Sequence, residues 1–229
     1  MRPNLLAGTC LVLVTATGQA AWAQPAEPEP GGFEIGLRAG YALPFGELLS
    51  GMALTDAARG SVPFIVDLGY RLTPSLYVGG LLSYAILRVN KTGLGCNTQV
   101  VDGPGDCSGT ALRLAADVQY QQPLDGDLLA WGDAGFGLER LIVQYDMGGF
   151  GFPGPISSSW SGVEIAHVEV GVGKRLRPRV VVGPFASYAV GQFWTAAGSG
   201  NGRTQSGDIT DKRLHSWLTL GIRAMFTAP

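Results

Sequence analysis

Between Arg213 and Phe226 the sequence keeps two kinds of side chain apart by strict alternation. Leu214, Ser216, Leu218, Leu220, Ile222, Ala224 and Phe226 form one set, apolar except for Ser216, and Arg213, His215, Trp217, Thr219, Gly221, Arg223 and Met225 form the other. Successive side chains of a strand point to opposite faces, so this is a strand with one greasy face, a period that no helix can use. The same pattern recurs seven more times. Phe33 to Leu43 alternates Phe33, Ile35, Leu37, Ala39, Tyr41 and Leu43 with Glu34, Gly36, Arg38, Gly40 and Ala42. Val62 to Leu72 sets Phe64, Val66, Leu68 and Tyr70 against Ile65, Asp67, Gly69 and Arg71. Ala111 to Gln121 sets Leu112, Leu114, Ala116, Val118 and Tyr120 against Arg113, Ala115, Asp117, Gln119 and Gln121. Ser75 to Asn90, Leu128 to Tyr145, Gly162 to Leu176 and Arg179 to Thr195 follow the rule less cleanly. Their small or charged set includes Asp133, Gly135, Gly137 and Glu139, then His167, Glu169, Gly171, Gly173 and Arg175.

The connections between these eight predicted strands alternate between two lengths. Thr73-Pro74, Pro123 to Asp127 and Arg177-Pro178 are tight turns with the Pro, Asp and Gly chemistry such turns require. Pro44 to Ser61, Thr92 to Gly109, Asp146 to Ser161 and Ala196 to Asp211 are long, 16 to 18 residues each, and Gly46 to Gly60 has room for a short helix. Short turns at one end, long loops at the other and both termini at the short-turn end describe an all-β, eight-stranded antiparallel up-and-down transmembrane β-barrel. No solenoid repeat interrupts it, so residues 33–229 read as one barrel domain.

Composition decides which face looks outward. A soluble barrel of the lipocalin type also alternates, but its exterior needs Lys and Glu in numbers this chain lacks, at 15% charged residues against 46% hydrophobic. An exterior of Leu, Val, Ala, Phe and Tyr suits lipid. Phe33, Tyr41, Phe64, Tyr70, Tyr120, Trp194 and Phe226 fall towards strand ends, where aromatic girdles form at the bilayer interfaces. The formal net charge of -2, with basic residues scattered singly, argues against a nucleic-acid partner.

The first residues are of another character. Met1 to Asn4 give a short positive start, Leu5 to Thr17 an apolar stretch and Ala21-Trp22-Ala23 a small-residue cleavage site, so residues 1–23 read as a secretory signal peptide and 24–32 as a Pro/Glu-rich tether. Export puts Cys96 and Cys107 in an oxidising compartment, and two close cysteines there are expected to form one disulfide in the second long loop. Zinc would need two more ligands, and His167 and His215 lie far off in segments of another character, so no metal is expected.

The polar face is read as the interior of the barrel. Arg38, Arg71, Arg113, Arg175, Arg213 and Arg223 are expected there opposite Asp67, Asp117, Asp133, Glu139 and Glu169, with His167 among them, as a mutually paired charge network. His167 and Glu169 share a face, so a His/acid pair is geometrically available. A histidine beside a carboxylate in such a bore is more often structural, and His215-Ser216-Trp217 puts Ser216 on the face opposite His215, away from any nucleophilic arrangement. Gly149 to Gly154 matches G-x-G-x-x-G, but Pro155 and Ser157 to Ser159 follow it where a phosphate-binding helix would start, which makes it a loop. Neither catalysis nor a cofactor is expected.

Taken together the signal peptide, the rhythm of short and long connections and the terminal strand Leu218-Thr219-Leu220-Gly221-Ile222-Arg223-Ala224-Met225-Phe226 resemble the small eight-stranded outer-membrane barrels, the OmpA-barrel and OmpX kind. The likeness in plan covers essentially all of the chain beyond residue 23, and it is specific for architecture and not for activity. It implies a place in an outer membrane of the Gram-negative type, contact with outer-membrane lipid, and insertion by machinery that reads a terminal aromatic residue. Here Thr227, Ala228 and Pro229 follow Phe226. Two functions are in view: a structural or surface-interaction barrel whose four long loops meet an unknown extracellular ligand, or a passive, porin-like conduit for small solutes or apolar molecules. Eight strands leave a bore just wide enough for side chains, which favours the first. A lipid-modifying barrel enzyme ranks third.

Overall fold

The computed structural model describes residues 32–94, 99–100, 103–104, 106–146, 156–200 and 203–228. The signal peptide, residues 24–31 of the tether, Cys96 and the glycine-rich stretch 149–154 lie outside the described residues. Eight long strands carry the fold: β1 (Phe33–Leu49), β2 (Ala58–Arg71), β3 (Leu76–Val89), β4 (Asp106–Pro123), β5 (Leu128–Asp146), β6 (Ile156–Arg177), β7 (Val180–Gly200) and β8 (Leu214–Thr227). Each pairs antiparallel with the strand before and after it, and β8 pairs with β1 from Thr227 opposite Glu34 to His215 opposite Gly46. The ring of pairings is closed, which leaves the wall no free edge to recruit another chain.

The short connections stand at the end where β1 begins and β8 finishes. The turn from β4 to β5 is closed by the Leu124 amide donating to the Leu128 carbonyl at 2.9 Å, and Gly126 supplies the positive φ of 68° that the reversal needs. At the other end the strands run further than alternation alone indicates. Strand β1 continues to Leu49 and β2 starts at Ala58, so the first loop shrinks to residues 50–57, within which Leu54–Ala57 forms one helical turn. Likewise β7 reaches Gly200, and Arg203–Asp208 folds back to pair with it. These extensions carry no unbroken apolar face, so their sequence has no alternation to read.

Side chains sort by face as the period of two requires. On β8, Leu220 and Ile222 are 56% and 62% exposed while Thr219, Arg223 and Met225 are buried. The outer face of the other strands carries Phe33, Leu37, Phe64, Leu68, Leu114, Tyr120, Phe136 and Val170, all exposed. In water such a surface would aggregate. Towards the loop end the bore fills with apolar groups: Leu48, Leu54, Ala57 and Ala58 from the first loop region pack with Leu87, Leu141, Val143, Trp160, Phe193 and Trp217 from the wall.

One irregularity changes which residues face inward. Gly135 stands opposite His167 and Gly137 opposite Glu164, so Phe136 faces two residues, Ile165 and Ala166, at a β-bulge. Ile165 and Ala166 are both exposed, and Glu164 therefore points into the bore together with His167 and Glu169.

Candidate functional site

The bore holds its charges in three tiers, counted from the short-turn end. In the first, Arg71 pairs with Glu34 and donates to Gln121 Oε1 at 2.7 Å and to the Pro74 carbonyl at 3.0 Å.

The second tier is the centre of the network. Arg38 on β1 and Arg223 on β8 are register partners, so two guanidinium groups stand side by side, an arrangement that only surrounding acids can stabilise. Arg38 makes a forked pair with Asp67, Nε to Oδ2 at 2.8 Å and Nη2 to Oδ1 at 2.5 Å, and its Nη1 reaches Glu169. Its Nη2 also lies 3.5 Å from Asp133 Oδ2 and 3.8 Å from Asp117 Oδ2. Arg223 Nη1 donates to Glu169 Oε1 at 3.2 Å, with Asp133 Oδ2 at 3.5 Å. The Trp131 indole donates to Glu169 Oε1 at 3.0 Å and lies under the Arg223 guanidinium, 5.7 Å from ring centroid to Cζ, a cation–π contact. Gly171 makes room for that ring, since a Cβ there would collide with Trp131. All six charged groups of this tier are at least 95% buried.

The third tier holds two histidines. His167 Nδ1 is 2.5 Å from Glu164 Oε1, and Glu164 also pairs with Arg113. His215 Nε2 lies 2.6 Å from Glu139 Oε1, and the Phe193 ring stacks on its imidazole at 4.2 Å and 11°. Between this tier and the apolar layer, a cavity of about 20 Å³ touches Arg113, Glu139, Phe193, Trp217 and Thr219. That is room for about one water molecule.

Most of the sequence-predicted network is brought together: Arg38, Asp67, Arg71, Arg113, Asp117, Asp133, Glu139, His167, Glu169 and Arg223 all line the bore. Two arginines are not part of it. Arg213 precedes β8 and stands outside the bore at the loop end, its side chain 45% exposed, where it lies 3.0 Å from Asp211 and 3.5 Å from Glu47. Hydrogen bonds from Ser50 and then Arg213 hold the Asp211 carboxyl below its ordinary range. Arg175 is half-buried near the β6 turn and makes no ion pair among the described residues. The His167–Glu169 pair that a shared face makes available is not formed, because the bulge gives His167 to Glu164 and leaves Glu169 to the arginines.

Glu34, Glu164 and His215 are the interior groups that the network expectation lacked. Glu34 and His215 stood on the polar faces of their strands, so the signal was present. Glu164 was hidden, since strict alternation counts it with Val168 and Val170 on the lipid face. The charge balance changes in consequence. Among the described residues four guanidinium groups, Arg38, Arg71, Arg113 and Arg223, face seven carboxyl groups, Glu34, Asp67, Asp117, Asp133, Glu139, Glu164 and Glu169, with two histidines between them. Acids outnumber guanidinium groups in the described bore, where balance was expected.

Among the described residues no hydroxyl side chain is hydrogen-bonded to a histidine. Ser216 lies on the outer side of β8, where the Tyr188 hydroxyl donates to it at 2.9 Å, and His215 faces the bore. No group of three or more His, Cys, Asp or Glu among the described residues is arranged to hold a metal ion.

The comparisons with known proteins bear on the architecture. A major outer membrane protein from Thermus thermophilus matches with a TM-score of 0.52 at 14% identity, over 86% of this chain and 100% of that one. The fold is that of a small outer-membrane barrel. Neisserial surface protein A matches with a TM-score of 0.46 at 16% identity over 83% and 95% of the two chains. OprG from Pseudomonas aeruginosa gives 0.45 at 15% over 87% and 98%. No protein-family model and no curated protein sequence matches the chain. At these identities the barrel shares a fold with its neighbours, and its function must be argued from its own side chains.

Proposed function

We propose that the chain is an exported outer-membrane barrel of structural or surface-interaction type, a closed scaffold that displays its four loop segments on the outer side. The observation that carries this reading is the filling of the bore at two successive levels. The ion network crosses it at Arg38 and Arg223, and the apolar layer of Leu48, Leu54, Phe193 and Trp217 crosses it above. A conduit would need both levels to part. Loops on a rigid scaffold are where recognition residues are placed, and the ligand they meet is sought among extracellular surfaces. The signal peptide, the insertion machinery and the surrounding lipid complete the proposed route to the membrane.

The purified chain in planar bilayers is expected to give no stable single-channel current at neutral pH. Sustained currents from the wild-type protein would overturn the scaffold reading. One observation favours the conduit as a second reading: the excess of carboxylates would make any opened bore cation-selective. Currents that appear only after Phe193→Ala with Trp217→Ala, and that prefer cations, would mean that the apolar layer is the closure.

The Cys96–Cys107 disulfide belongs to this proposal as a clamp on the second loop. Cys107 is 8% exposed at the loop end of β4, opposite Tyr145. Ten residues lie between the two cysteines, and closing so short a loop stabilises it by about 2 to 3 kcal/mol through the unfolded chain. Replacing both by Ser is expected to raise protease cleavage in the loop and leave insertion intact. Two free thiols titrating per unfolded, unreduced chain would remove the clamp from the account.

A further inference from the structure

We infer that Arg59, Arg88 and Arg140 form a belt on the outer wall that binds the phosphate groups of an anionic lipid in the outer leaflet. The inference rests on the proposed outer-membrane placement. Its first support is their common height. Arg59 is twelve residues from Arg71, Arg88 twelve from Leu76 and Arg140 twelve from Leu128, each counted from the short-turn end of its own strand. A strand rising about 3.3 Å per residue and tilted about 40° climbs roughly 2.5 Å per residue, so all three stand about 30 Å above the turns. The apolar band of such barrels is about 25 Å tall. The belt therefore lies at the far edge of the hydrocarbon, where headgroup phosphates begin.

The second support is what surrounds them. All three are exposed, and directly below them the wall is apolar, with Tyr84, Ile86, Phe136 and Leu138 exposed to lipid. The carboxylates of β2 to β5 whose side chains are described, Asp67, Asp117, Asp133 and Glu139, all face the bore. Among the described residues no acid forms an ion pair with any of the three arginines. Arg59 donates to Asn90 Oδ1 at 3.3 Å and Arg140 to Ser159 Oγ at 3.5 Å, neutral acceptors that leave the charge uncompensated. Arg88 makes no ion pair among the described residues. From β2 to β5 is three strand spacings, an arc of roughly 15 Å, wide enough for more than one phosphate. Guanidinium groups bind phosphate through paired N–H donors, a geometry that lysine does not offer.

The test uses the folded full-length chain in zwitterionic detergent, titrated with a bisphosphorylated acylated glucosamine disaccharide, with the same lipid dephosphorylated, and with inorganic phosphate. The bisphosphorylated lipid is expected to bind at least about tenfold more tightly than the dephosphorylated one. Arg59→Gln with Arg88→Gln and Arg140→Gln should abolish that preference, the three changes to Lys should keep part of it, and Lys174→Gln near the opposite end should leave it unchanged. Should the triple Gln variant fail to fold, Arg88→Gln and Arg140→Gln alone are each expected to weaken binding several-fold. Equal affinity for the two lipids, or binding indifferent to the Gln changes, would overturn the belt. So would inorganic phosphate competing at the lipid's own concentration, which would mark an adventitious ion site. A chain that never enters lipid vesicles would instead overturn the membrane placement itself, and a heat-dependent shift in gel migration separates the two failures.

Discussion

Arg38→Met should cost the folded barrel about 3 to 5 kcal/mol, the loss seen when one partner is taken from a buried charge network and the rest stay charged. Four acids, Asp67, Asp117, Asp133 and Glu169, would be left around Arg223 alone. Burial makes the difference: Arg38 is 4% exposed, and its carboxylate partners cannot turn to water. Asp117→Asn should cost far less, about 1 kcal/mol or nothing, because the site already has more acid than base and Asp117 reaches Arg38 only at 3.8 Å. Urea unfolding of the two variants in lipid vesicles, followed by tryptophan fluorescence, measures the contrast. Equal midpoints would mean that packing, and not charge compensation, holds the centre of the bore.

Leu220→Arg is expected to be the most damaging single change on the outer wall. Leu220 is seven residues from the end of β8 at Thr227, close to the middle of the apolar band, and 56% exposed to what surrounds the barrel. A charge placed there costs about 2 to 4 kcal/mol. Thr219→Arg, one residue away, points to the cavity beside Glu139 and should cost less, since an acid is there to receive it. A reversed order, with Thr219→Arg the worse of the two, would mean that the faces of β8 are exchanged.

The contrast between β8 and β6 shows how much of this architecture can be read from residues alone. On β8 the alternation from Leu214 to Phe226 is broken only by Ser216, so the face of each side chain follows from counting by two, and Ser216, covered by Tyr188, is the one outward residue that is buried. On β6 the same count fails between Glu164 and His167, because Ile165 and Ala166 both turn outward. Neither residue carries a mark of that, as both are ordinary lipid-facing types. The hint was energetic: a lone Glu164 with Ala166, Val168 and Val170 on a lipid face would be costly, and a bulge removes the cost. Arg213 failed for a different reason. It continues the alternation on paper, but the chain is already beyond the wall there, and parity has no meaning outside a paired strand. The polar strand extensions at Ser157 to Ser159 and Ala196 to Gly200 were illegible because they have no greasy face to announce them.

The seam between the first and last strands has a consequence in time. Ile35 pairs with Phe226 and Leu43 with Leu218, contacts between residues nearly the whole chain apart. Loop-closure entropy of that size makes such pairings slow to find. Until they form, the sheet has two open edges and an oily outer surface, both invitations to aggregate. Under the proposed outer-membrane placement, the seam between its two ends is expected to be the last part of the wall to close, and the strands are expected to need cover until it does.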